Sequence, residues 1–176
     1  MTTDRVKIRK ATDDDLDELL ALWAHYIRVH RKNPAYQLCK GDGLARRHEL
    51  FERHVAGPES CVFVAVRPDG GLDAMITCFV EDNTAYFMPP KYGRIQTPFV
   101  RPESRGRGIL KRLLAAAYLW ARELELTEVR LFTSAFDPGP NELAEEFGFQ
   151  AIEVVRRRPI EWNLPPGSTP FDERSG

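Results

Sequence analysis

A mixed α/β sheet with helices on both faces is the fold that the sequence predicts. Three observations lead to it. β-Prone runs and one-sided helical stripes follow one another in the order β, α, α, three strands, then α, β, α, β. The helical stripes are apolar on one side only, so each must lie against another layer. The strand–helix–strand unit around residues 94–134 has the make-up of a parallel pair joined by a right-handed crossover.

Each element has its own local reason. "VKIRKA" alternates and reads as a first strand. Thr12 opens a helix, with Asp15 three residues on as a variant capping box, and Asp13 and Asp14 favour its positive end. Leu16, Leu19, Leu20, Trp23 and Ile27 then recur at helical spacing. Pro34, Gly41 and Gly43 break the pattern before a second helix, "LARRHELFERHVA", which stops at Gly57-Pro58. "CVFVAV" and "LDAMITCFVE" form a hairpin around "RPDGG". "DNTAYFMPPK" is an irregular excursion, and "YGRIQTPFV" is a strand in which Pro98 implies a bulge or an unpaired edge. A broad stripe from Ile109 to about Leu126 is a long helix, and "EVRLFTS" is the next strand. "FDPGPNELAEEFGF" is a loop and short helix closed by Gly148. "QAIEVVRRRPIEW" predicts a final strand or strand pair. Residues 1–164 are expected to form a single domain, with 165–176 as a mobile polar tail.

Composition narrows the function classes. The chain has 176 residues, 43% hydrophobic and 29% charged, which is ordinary for a soluble globular domain. Its formal net charge is -1, so no global field recruits nucleic acid or an anionic membrane, and any anion site must be local. No run reaches the ~20 apolar residues of a membrane span, and the N-terminus has no secretion-signal core. Cys39, Cys61 and Cys78 are scattered, which reads as reduced packing thiols in the cytoplasm. His25, His30, His48 and His54 lack metal-ligand spacing, so no metal is expected.

The chemistry-bearing stretch is "FVRPESRGRGILKRLL", from Phe99. Gly106 and Gly108 stand between a strand and a helix, flanked by Arg105 and Arg107. The first N–H groups of a helix have no internal partner, and the helix dipole adds partial positive charge there. Residues without Cβ atoms let an anion approach those groups closely. By itself the turn is either a tight corner or a phosphate cradle. A dinucleotide fingerprint fits poorly, because Lys111 stands where the third glycine belongs, and there is no P-loop.

This stretch, with the order of elements around it, resembles the GNAT superfamily of N-acetyltransferases. Arg105, Gly106, Arg107, Gly108, Ile109 and Leu110 match the pyrophosphate motif [Q/R]-x-x-G-x-[G/A] except at Leu110, where glycine or alanine is usual. Val100-Arg101-Pro102 and the terminal Gly148-Phe149 add to the likeness, which covers residues 5–162. The resemblance implies a central, mostly antiparallel sheet with a splayed strand pair that holds coenzyme A. It implies that Phe99 and Val100, with Arg101 close by, lie along the pantetheine arm of acetyl-CoA. The pyrophosphate then falls at Arg105 to Leu110, with Lys111 and Arg112 toward the nucleotide, and Asp137 and Asn141 are carried over as further cofactor residues.

The resemblance further implies direct attack of an amine on a thioester, which needs a neutral amine, an oxyanion donor and an acid for the leaving thiolate. The backbone N–H near Val100 is the expected oxyanion donor. The family's usual acid is a tyrosine at the position of Ala144, and its histone-type base is a glutamate at the position of Arg94. Glu81, Asp82, Tyr86 and Gln96 are therefore candidates near the expected cleft, each with a solvated or packing role as its alternative. His25, Tyr26 and His30 end the first helix, where the family often walls its acceptor pocket. His titrates near neutrality, yet an amphipathic helix end touching solvent is the preferred reading. Arg156, Arg157 and Arg158 read as a solvated run.

The expected function is acetyl-CoA-dependent N-acetylation of a primary amine on a small molecule or peptide by a monomer or homodimer. The alternative is an acyl-CoA-binding or sensing domain with little turnover. Nucleic-acid binding is disfavoured by the neutral charge and the acidic first helix.

Overall fold

The structure, a computed structural model, describes residues 6–36 and 42–157. The elements are β1 (Lys7–Lys10), α1 (Leu16–Val29), α2 (Gly43–Ala56), β2 (Ser60–Val66), β3 (Leu72–Asp82), β4 (Lys91–Val100), α3 (Ile109–Glu123), β5 (Val129–Phe132) and α4 (Pro138–Glu146). The strands lie in one open sheet in chain order. β1 to β4 pair antiparallel, and β4 pairs with β5 in parallel across the α3 crossover.

The period of two in the strands divides the core into two layers. Val62, Val64, Met75 and Phe99 face α1 and α2, where they meet Leu19, Leu22, Tyr26 and Phe51. Phe63, Ala65, Ala74, Ile76, Cys78 and Ile95 face α3, against Ile109, Leu113, Ala117 and Trp120. Burying one such large side chain contributes roughly 1.5–3 kcal/mol. Cys61 and Cys78 are opposite one another on β2 and β3, both buried as free thiols. Cys39 lies outside the described residues.

The cap expected at Thr12 forms: its N–H donates to Asp15 Oδ2 at 2.8 Å, and Arg9 holds the same carboxylate at 2.6 Å. A short 3-10 turn at Asp13–Asp15 precedes α1. The bulge expected at Pro98 is also present. The β3–β4 register shifts between Met75 and Thr77, and Thr97 sits at φ 55°. That conformation is rare for a β-branched residue, so the bend of β4 there is imposed by its surroundings.

Two expectations are corrected. α3 ends at Glu123 rather than near Leu126, because Glu125 turns to φ 56°. Residues 151–157 form no strand, and Ile152, Val154 and Val155 are exposed. β propensity alone does not make a strand without a ladder partner. The Pro138-Gly139-Pro140 run forms the first turn of α4, which begins at Pro138. Proline fits the first turn because the N–H it lacks has no helical acceptor there. Residues 158–176, including Arg158 and the expected tail, lie outside the described residues.

Candidate active site

β4 and β5 stay paired only from Gly93–Val129 to Gln96–Phe132. Beyond Gln96, β4 bulges and follows β3 alone, with Phe99 opposite Met75 and Val100 opposite Ala74. Arg101 N–H donates to Asp73 O at 2.8 Å, so antiparallel alternation turns both backbone groups of Val100 away from β3. The Val100 carbonyl accepts Arg105 Nε at 3.2 Å. Its N–H points into the gap where β5 has departed.

The chain then turns through Pro102–Ser104 into α3. Gly106 and Gly108 adopt φ 74° and 69°, and a Cβ built on either meets no atom within 4 Å. Backbone conformation, rather than crowding, selects glycine at both positions. The space a Cβ would enter is open and lies at the N-terminus of a 15-residue helix whose first N–H groups have no helical acceptor. This arrangement fits an anionic pyrophosphate. Arg105 and Arg107 are exposed beside it. Leu110, the one mismatch to the motif, is half-buried and packs on the α3 side of the core, so its side chain leaves the loop clear.

A buried carboxylate holds this loop. Asp73, 2% exposed, accepts Ser104 Oγ at 2.8 Å and Arg67 Nη1 at 2.7 Å. Arg101 donates from Nε to Leu72 O at 2.9 Å and reaches His25 Nδ1 at 3.5 Å. The Arg101 side chain therefore ties β3 to α1.

The opposite wall comes from the end of α1. Tyr26 and His30 are 7% and 5% exposed, which overturns the expected solvated helix end. The rings of His25, Tyr26 and His30 gather around Phe99 at 5.5, 5.8 and 6.5 Å. His30 Nδ1 lies 2.8 Å from the Tyr26 carbonyl, which can only accept, and Nε2 lies 2.8 Å from Asp137 Oδ2. Burial pushes His30 down, but the bond to Asp137, the Tyr26 carbonyl and the Asp137 charge outweigh it and raise its pKa overall. The bond from His30 in turn lowers Asp137 against its own burial, with Arg105 adding to the effect. Nδ1 therefore donates to the carbonyl, and the raised His30 and lowered Asp137 pKa values both favour the charged pair. Asn33 Nδ2 donates to Ser134 Oγ at 3.1 Å and binds the same two segments together.

Asp137 and Asn141 thus build the wall. Asp137 is the N-cap residue of α4. Asn141 Nδ2 donates to the carbonyls of Asp137 at 2.8 Å and Ser134 at 3.0 Å, and its Oδ1 accepts from Thr133 Oγ1. Both side chains shape the loop that leaves β5.

The four catalytic candidates separate. Gln96 stands at the last paired position before the gap. Glu81 lies farther back on the sheet, opposite Tyr92, where it accepts Tyr92 Oη at 2.7 Å and Arg94 Nη1 at 2.8 and 2.9 Å. Burial raises Glu81, but Arg94 and Tyr92 more than reverse this and leave it below the usual carboxylate range. Asp82 pairs with Lys91 at the far end of the ladder. Tyr86 is 78% exposed on the excursion before β4, with its ring against Phe87. It precedes the Lys91 end of ten-residue β4, which lies about 30 Å along the strand from the glycine loop.

Sequence reasoning missed the His30–Asp137 bond, whose partners are 107 residues apart, and the neutralisation of Glu81 by Arg94. It also missed Arg47, for which a signal existed. Arg47 lies four residues before Phe51 on a helix, so the two share a face.

The sequence matches the Acetyltransferase (GNAT) family over residues 21–149. No protein of curated function matches it. Solved structures share the fold. The BH1408 protein from Bacillus halodurans, studied as a tetramutant, is 19% identical over 88% of this chain and 99% of its own, with a TM-score of 0.73. A predicted acetyltransferase from Clostridium acetobutylicum, solved with acetyl-CoA, is 18% identical over 88% of this chain and 96% of its own, with a TM-score of 0.71. The aminoglycoside acetyltransferase AAC(6')-Iy, solved with the bisubstrate analog CoA-S-monomethyl-acetylneamine, is 19% identical over 89% of this chain and 98% of its own, with a TM-score of 0.67. With most of its length matched, the glycine loop included, the chain belongs to the Acetyltransferase (GNAT) family, whose members use acetyl-CoA.

Proposed function

We propose that this protein is an acetyl-CoA-dependent N-acetyltransferase that acetylates a primary amine by direct attack. The observation that carries the reading is the gap beyond Gln96, open between β4 and β5 and continuous in sequence with two left-handed glycines at the start of α3. Acetyl-CoA bound there supplies an acyl thioester that an amine can attack. The N–H groups of Gly108, Ile109 and Leu110 take the pyrophosphate, with Arg105, Gly106 and Arg107 completing the loop and Arg112 toward the nucleotide. Phe99 and Val100 line the pantetheine arm. The Val100 N–H, turned into the gap, is the donor for a developing oxyanion. Its carbonyl has a second lone pair beside the one that Arg105 uses.

Backbone groups therefore do most of the work. Gln96 is the candidate side chain nearest the start of the gap. Glu81 serves through Arg94 as a neutral pair, and Asp137 and Asn141 act by shaping the α4 side. The free thiols of Cys61 and Cys78 support a reducing compartment, the cytoplasm. Among the described residues no helix is long and apolar enough to cross a membrane.

A second reading, acyl-CoA binding with little turnover, is favoured by one observation: Glu81 is already held by Arg94, while Ala144 offers no acid. Titration with coenzyme A, followed by thiol release from acetyl-CoA across a panel of primary amines, separates the two. Micromolar binding with amine-dependent thiol release is expected. Binding without release for any amine favours the second reading, and no binding overturns both.

A further inference from the structure

α2 carries adjacent arginines with opposite fates. Arg46 is exposed and donates to Asp42. Arg47 turns inward, between α1 and α2. Its guanidinium stacks 4.2 Å from the Phe51 ring centre and 5.6 Å from that of Trp23. Ring faces engage the flat face of a guanidinium, whereas its N–H bonds point outward in its plane. Nε and Nη2 are both buried, and neither has a hydrogen-bond partner among the described residues. Burial pulls the Arg47 pKa down to about 10, with only the Tyr26 hydroxyl opposing it.

The two orphaned nitrogens are neighbours on one edge of the fork. Their N–H bonds run parallel, at the spacing of the two oxygens of a carboxylate. A cation kept under the surface with this edge unmet is destabilising to the free protein, and an acceptor oxygen placed there would relieve it. The location suits an acceptor. Tyr26, which feels the Arg47 charge, also packs 5.8 Å from Phe99, at the gap. Arg47 as a whole is half-buried, so part of the side chain reaches the surface while this edge does not.

We propose that Arg47 is a specificity residue that receives the carboxylate of the acceptor, so that the amine acetylated belongs to a molecule with an acid group, such as an amino acid or a peptide end. This rests on the acetyltransferase reading above. It also separates this protein from enzymes whose acceptors are polycations, since a buried guanidinium disfavours them.

The test compares L-amino acids with their carboxamides, which keep the amine and lose the charge. Thermal shift and Trp fluorescence report binding without any need for turnover. At least one amino acid should bind about tenfold or more tightly than its carboxamide to the unaltered protein, and the ratio should fall below about twofold in Arg47→Met. Arg47→Lys should recover part of it. Without ligand, Arg47→Met should melt at a higher temperature, because it removes an unpaired buried charge. Equal binding of acid and amide to the unaltered protein overturns the proposal whether or not the variants fold, and so does failure of every amino acid to bind. Coenzyme A affinity, measured in parallel, should be the same in Arg47→Met. Its absence in the unaltered protein would sink the acetyltransferase reading while leaving the acid–amide comparison to be judged alone.

Discussion

The two sides of the gap beyond Gln96 are built differently. On the β4 side the available groups are backbone: the Val100 N–H, the positive-φ glycines and the first N–H groups of α3. On the α1 side they are side chains, already paired with one another: His30 with Asp137, Asn33 with Ser134, Tyr26 with Tyr36. Backbone donors are positioned by the fold at little side-chain entropy and do not change charge with pH. Paired side chains lend shape to a wall, and the His30–Asp137 pair adds charge that answers to pH. The contrast assigns the common part of the chemistry to β4 and α3, and selectivity to α1 and α2.

The sharpest way to break the comparison is on the backbone side. Gly108→Val forces a β-branched residue to φ 69° and fills the open cradle. Losing two charge-assisted hydrogen bonds, each worth about 1.5–3 kcal/mol, should weaken coenzyme A binding by about 100-fold or more in a calorimetric titration. Unchanged affinity would place the pyrophosphate elsewhere.

The wall should respond more mildly. His30→Gln keeps a donor but loses the charge, and should lower unfolding free energy by about 2 kcal/mol. The raised pKa of His30 gives a contribution present in full below the unfolded value, near 6.5, and lost as pH rises through the folded one. The lowered pKa of Asp137 gives one present above 3.8 and lost as pH falls through its depressed value. Between these limits the clasp is strongest. The difference in denaturant midpoint between the unaltered protein and His30→Gln should therefore be largest near pH 5–6 and shrink toward pH 9. A difference independent of pH would mean that His30 acts only by packing.

The smallest effect is expected at Glu81. It is partly exposed and already neutralised by Arg94. Glu81→Gln should change the turnover of an identified amine by less than about threefold. A fall of 100-fold or more, the scale of a lost general base, would move the chemistry to this side of the sheet.

Local signals are legible in the chain itself. Thr12 and Asp15 read as a cap, Pro98 as a bulge and Gly148 as a helix stop, because each depends on neighbours a few residues away. Gly148 indeed lies at φ 81°. The glycines at 106 and 108 announced a turn beside a helix start for the same reason. The final strand was misjudged where apolar alternation had no ladder to join. Tyr26 and His30 were read as a solvated helix end because nothing nearby in the chain reveals that β4 and the α4 loop close over them.

The sequence by itself determined the order of elements as far as α4, the motif loop and the family, since periodicity, capping and backbone freedom are short-range properties. Only the tertiary structure decided which charges meet. It joined His30 to Asp137 and Arg94 to Glu81, and it left one edge of Arg47 unmet. The physical reason is that an ion pair forms where packing brings two groups within about 3 Å and removes competing water, and spacing along the chain carries no record of that distance.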